Sequence, residues 1–217
     1  MSPALSPAKQ GVRTLKSLGA PTRAARVLAL GPDGFDLARA ALDGLDPGAL
    51  TLVHPGPPPP RARFDTTPDS LGELAAARPG GFDLVLASGA LETSGLGRIR
   101  TDLGHMTTLL APRGALALII DTLGAPDAEG GFDALLFPHL SRQGALGDTP
   151  RTLLPAAAWV LLLQSLDLDV QAVQGLGEQE AAPELFDRHA ARLDLYDAGE
   201  LATGRLHLIA RKRGDGA

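Results

Sequence analysis

The pattern that most narrows the possible folds is a series of short, almost wholly apolar runs, each followed by a helix-like stretch. RVLAL (26–30), LTLVH (50–54), ARF (62–64), FDLVLAS (82–88) and GALALIID (114–121) come first, and LDVQAV (168–173) and RLHLIAR (205–211) close the series. A strand wetted on one face alternates apolar and polar residues, so near-continuous apolarity implies strands covered on both faces. Between them lie GFDLARAALDGL, PDSLGELAAA, GRIRTDLGHMTTLL and TLLPAAAWVLLLQSL, which suit helices. Strands alternating with helices imply an α/β domain with a largely parallel sheet, because parallel neighbours need a crossover and right-handed crossovers place helices on the faces. The last two strands are separated only by a polar, glycine-rich stretch, 175–204, so an antiparallel pair near one end is expected.

At 217 residues the chain suits one such domain, 25–213, behind a basic leader, 1–24, and before a short tail, 214–217. Lys9, Arg13, Lys16, Arg23 and Arg26 all precede the first acidic residue, Asp33. A solvated N-terminal helix with Val12, Leu15 and Leu18 along one side is the preferred reading of that leader, ahead of a targeting segment or a lid. The chain has no cysteine, which excludes disulfides, thiolate nucleophiles and cysteine-ligated metals and makes the cytosol the expected compartment. The longest apolar run, Leu153 to Leu163, is too short to cross a bilayer and reads as a buried helix. A formal charge of −5 with one Trp, one Tyr and six Phe argues against nucleic acid as a partner.

The histidines show no metal-ligand spacing, and no nucleophile elbow, phosphate loop or dinucleotide turn is present. In open α/β sheets ligands bind beyond the carboxyl ends of the strands. The first strand ends in Gly31-Pro32-Asp33-Gly34, the second in His54, the third in Asp65 and Thr66, the fourth in Ser88 and Gly89, and the fifth in Asp121. A turn between strand and helix offers unpaired N–H groups and a helix dipole to an anion; alternatively Gly31 and Gly34 serve the turn alone. The PGPPPP run (55–60) stiffens the exit of the second strand, and Asp69 or Ser70 can cap the helix that follows the third. The Gly/Pro-rich stretch 124–150 reads as a lid or binding loop. His105 and His139 are either general bases or packing residues.

From Arg26 to Arg213 the order and spacing resemble a class I S-adenosylmethionine-dependent methyltransferase of the small-molecule type. FDLVLASGALE (82–92), with Asp83 in the usual acidic position, and GHMTTLLAPRGALALII (104–120), with Pro112 and Gly114 at the turn, carry the resemblance. It implies a Rossmann-like three-layer sandwich, a seven-stranded mostly parallel sheet with the last strand antiparallel, and S-adenosylmethionine as cofactor. The implied cofactor positions are Leu30, Gly31, Asp33, Gly34, His54, Asp65, Thr66 and Ser88, with Asp65 and Thr66 at the adenine. The first motif departs from the family pattern: Ala29 replaces an acid, Asp33 and Phe35 stand at the second and third glycines, and His54 replaces the acid that accepts the ribose hydroxyls. Asp33 could compensate by holding the cofactor's ammonium group. Two functions follow: methyl transfer to a small-molecule acceptor, or a catalytically inactive methyltransferase-like binding or assembly module that has lost the cofactor.

Overall fold

A computed structural model describes residues 6–92, 95–122, 154, 156–178 and 203–213. Seven strands form one sheet in the order β3-β2-β1-β4-β5-β7-β6. They are β1 (Arg26–Leu30), β2 (Ala49–Val53), β3 (Asp65–Thr67), β4 (Phe82–Ser88), β5 (Leu110–Asp121), β6 (Leu168–Glu178) and β7 (Thr203–Lys212). Neighbours from β3 through β5 pair in parallel, and β7 lies antiparallel between β5 and β6. The antiparallel pair expected at the end of the chain is therefore present, with the last strand inserted one place from the sheet edge. The helices are α1 (Pro7–Ser17), α2 (Gly34–Leu45), α3 (Leu71–Ala77), α4 (Leu96–Leu109) and α5 (Ala156–Gln164).

Successive strand residues point to opposite faces, and here both faces are dry. Val27 and Ala29 of β1, Leu84 and Leu86 of β4, and Ala115 and Ala117 of β5 meet α1 and α2. Leu28, Val85, Leu116 and Leu118 meet α3, α4 and α5, with Trp159 and Leu163 fully buried there. Each fully buried Leu or Val contributes about 1.5–3 kcal/mol, so these two clusters hold the three layers together.

The segment expected to be a leader is built into that sandwich. Ala8, Gly11, Val12 and Leu15 of α1 are buried, and an added Cβ on Gly44 of α2 would lie 2.7 Å from Val12. Its basic side chains lie outside, where Lys9 pairs with Asp43 at 3.6 Å. Asp83 has a structural role at the amino ends of the central strands: its carboxylate accepts the Arg26 backbone N–H at 2.9 Å and the guanidinium at 3.3 Å.

The third strand is displaced from its expected place. ARF (62–64) precedes it, and the paired residues are Asp65 to Thr67. Phe64 instead turns into the α2 layer, where it is buried and its ring lies 6.0 Å from that of Phe35. An edge strand has one partner, so the β-branched Thr66 and Thr67 suffice for it. Ser70, one of two expected caps, closes a capping box with Glu73 at the start of α3. The stretch 124–150 with His139, most of 175–204, and the tail 214–217 lie outside the described residues.

Candidate functional site

The carboxyl ends of β1, β2 and β4 and the N-terminus of α2 meet at one edge of the sheet. Gly31 leaves β1 with φ of +154°, and a Cβ there would lie 2.1 Å from the carbonyl oxygen of Ser88. This glycine is therefore required by the close approach of the β4 end. Gly89, φ +60°, packs across the same gap against Pro32. Leu30 is buried in the strand, and Gly34 begins α2 so close to β2 that its Cβ would touch the His54 ring at 3.3 Å. Asp33 stands at the cap of α2 exposed, and its carboxylate makes no capping hydrogen bond.

His54 follows β2 and is half-buried. The Gly56 N–H donates to its Nδ1 at 3.0 Å, a closer approach than the 3.3 Å to the Gly56 carbonyl. On that geometry the neutral ring carries its proton on Nε2 and has spent its one acceptor on the backbone. The ring stacks on Phe35, with centroids 4.3 Å apart and planes at 36°. Phe35, His54 and Phe64 thus form a continuous aromatic cluster beside the turn. Where the related pattern has a carboxylate and a glycine, this crevice presents an N–H donor and a benzyl group.

Asp65 and Thr66 do not join this group as expected. They open β3, with Asp65 opposite Thr51 and Thr66 opposite Leu52. At about 3.3 Å per residue Asp65 lies roughly 10 Å back from the level of His54. The residues that reach the edge are Thr67 and Asp69, joined by a hydrogen bond from the Thr67 hydroxyl to Asp69 Oδ2 at 2.7 Å. The displaced strand hid them from sequence reasoning. Ser88 does reach the edge, half-buried as the last residue of β4.

A further acidic group was overlooked. Glu92 is 1% exposed just beyond β4, and its oxygens accept the backbone N–H groups of Leu91, at 3.1 Å, and of Asp121, at 2.5 Å. Burial pushes its pKa up, against the pull of those N–H donors, and the Asp121 charge pushes the same way. Asp121 in turn accepts from Arg205 Nε at 2.9 Å. An acid four residues beyond an apolar strand, at the end of FDLVLASGALE, was the available signal. His105 lies in the second half of α4, its ring against Gly72 of α3 and its Nδ1 buried with no partner among the described residues. It is a packing residue between helices, some way from the strand ends. Among the described residues no cluster suits a metal ion, and no helix is long and apolar enough to cross a membrane.

No protein-family model matches the sequence, and no curated protein matches it significantly. Solved structures do share its fold. An S-adenosylmethionine-dependent methyltransferase from Mesorhizobium loti is 16% identical, with 92% of this chain and 96% of that one covered and a TM-score of 0.59. The 1,6-didemethyltoxoflavin-N1-methyltransferase of Burkholderia thailandensis, with 1,6-didemethyltoxoflavin and S-adenosylhomocysteine bound, is 18% identical over 95% and 79% of the chains, TM-score 0.58. The N-methyltransferase NodS of Bradyrhizobium japonicum, in complex with S-adenosylhomocysteine, is 17% identical over 94% and 85%, TM-score 0.55.

Proposed function

Starting from the class I S-adenosylmethionine-dependent methyltransferase fold that this chain has, we propose that it binds S-adenosylmethionine at the edge formed by β1, β2 and β4. There it transfers the methyl group to a small-molecule acceptor in the cytosol. The observation that supports this reading is the strand order with its inserted antiparallel β7, in which β1 runs parallel between β2 and β4 so that the β1 turn, His54 and Ser88 follow neighbouring strand ends. The cofactor supplies an already activated methyl group on a sulfonium, so the protein has mainly to hold donor and acceptor in line. No catalytic dyad is needed for that.

The residues at the crevice suit the two ends of the cofactor unequally. Asp33, exposed and free of a capping bond, suits the ammonium group. At the ribose, His54 Nε2 donates to one hydroxyl and accepts from neither. Losing a charged acceptor of that kind weakens binding by about 1.5–3 kcal/mol, or one to two decades. A second reading, an inactive module with the methyltransferase fold, is favoured by the stacking of Phe35 on His54, since the ring fills space that a glycine leaves to the nucleotide.

Equilibrium dialysis with labelled S-adenosylmethionine separates the two. Retention by the native protein that falls at least about tenfold in Asp33→Ala supports the enzyme reading. Retention only after His54→Asp selects the inactive module. No retention by either protein overturns the cofactor assignment.

A further inference from the structure

A second concavity lies along the outer side of α2, between the start of α1 and the loop that returns from β2 to β3. It has a volume of about 500 Å³ and shares with the site at the strand ends only Phe64, the far member of the aromatic cluster. That volume is within the usual range of small-molecule sites. We propose that this pocket binds a small phosphomonoester with an apolar body.

The charge distribution carries the argument. Four cations line the pocket, Lys9, Arg39, Arg61 and Arg63, against two carboxylates, Asp36 and Asp43. Both carboxylates are already matched, Asp43 by Lys9 at 3.6 Å and Asp36 by Arg39 at 3.7 Å. Among the described residues Arg61 and Arg63 have no carboxylate at ion-pair distance, so two guanidinium groups share one concavity uncompensated. A phosphomonoester carries about −1.5 to −2 charges near neutrality, which matches that surplus. Guanidinium forks also pair bidentately with phosphate oxygens, which favours phosphate over a single carboxylate. Leu42 and Phe64, with Pro59 and Pro60 of the loop, provide the apolar wall that an organic body would cover.

The backbone holds Arg61 at the pocket. The Ala62 N–H donates to the Pro59 carbonyl at 3.0 Å, closing a turn with Pro60 and Arg61 at its centre. Arg61 has φ of +64°, at a position that turns of this kind give to Gly or Asn. Arg113, after Pro112, has φ of +63° outside the pocket, so the conformation by itself marks no site. It does supply a matched control.

Titration of the full chain at low salt with phenyl phosphate and with inorganic phosphate, read by calorimetry, tests the proposal. Phenyl phosphate is expected to saturate below about 1 mM and inorganic phosphate to bind at least about tenfold more weakly. Arg61→Gly and Arg63→Ala should each weaken phenyl phosphate at least about tenfold, and Arg113→Gly should leave it unchanged. Because Arg61→Gly and Arg113→Gly relieve the same backbone conformation, both should change Tm alike and by no more than about 4 °C. A native protein that does not saturate by about 10 mM overturns the site, and so does equal affinity in Arg61→Gly, Arg63→Ala and the native chain.

Discussion

Acidification should loosen this protein through one residue, His207. It lies on β7 between Ile119 and Gln174 in the sheet, fully buried, with the α-carbon of Gly11 in α1 close over the ring. Among the described residues neither ring nitrogen has a hydrogen-bond partner of good geometry. Burial, and then the positive Arg205 nearby, lower its pKa from 6.5 to about 4, with the Gln174 backbone acting weakly in the opposite direction. The unfolded chain therefore binds more protons than the folded one between those values, and stability is lost as pH falls from about 6.5 to about 4. Between these values, lowering the pH from about 7 to about 5 removes about 2 kcal/mol. Urea denaturation at several pH values, on the native protein and on His207→Leu, reads this directly. The variant should lose that part of the pH dependence and, with two orphaned nitrogens removed, gain about 1–3 kcal/mol at pH 7. Glu92 titrates with the opposite sign but is common to both proteins, so the difference isolates His207. Equal pH dependence in the two would refute the reasoning.

Three other substitutions probe the edge and its supports. Gly31→Ala would place a methyl group against the Ser88 carbonyl and should cost at least about 3 kcal/mol in chemical denaturation. Glu92→Ala strips the acceptors from two backbone N–H groups and should cost about 2–4 kcal/mol; since the raised pKa of Glu92 favours the neutral acid, its titration adds stability that is present below about 4.5 and lost as pH rises through the folded value. Asp83→Ala removes the acceptor of the Arg26 N–H at the start of β1 and should lower stability by about 1–2 kcal/mol, measured the same way.

Where strand or helix type follows from a long apolar pattern, the sequence was legible. RVLAL, FDLVLAS and GFDLARAALDGL fall on β1, β4 and α2, because burial on both faces leaves no freedom in residue type. The antiparallel pair was legible too, from the polar, glycine-rich composition of 175–204, and its insertion from the resemblance. β3 was misplaced because an edge strand of three residues carries little apolar signal, and Phe64, the strongest such signal nearby, belongs to the helix layer. That shift of about three residues moved Asp65 off the edge and hid Thr67 and Asp69. Gly31 illustrates a different limit. Its conformation was readable as a glycine requirement, yet the cause is the carbonyl of Ser88, 57 positions later in the chain, and no local pattern reports such a contact. His54 and Phe35 stood out as departures from a resembling motif, whereas their mutual stacking and the Gly56 bond needed coordinates.

On the proposed reading, His54, its acceptor already spent on Gly56, faces the cofactor's diol where the resembling pattern has a carboxylate. Calorimetric titration of S-adenosylhomocysteine into the native protein and into His54→Asp decides whether it does. His54→Asp should bind at least about tenfold more tightly than the native chain. Affinity in His54→Asp that is unchanged or weaker would rule that placement out.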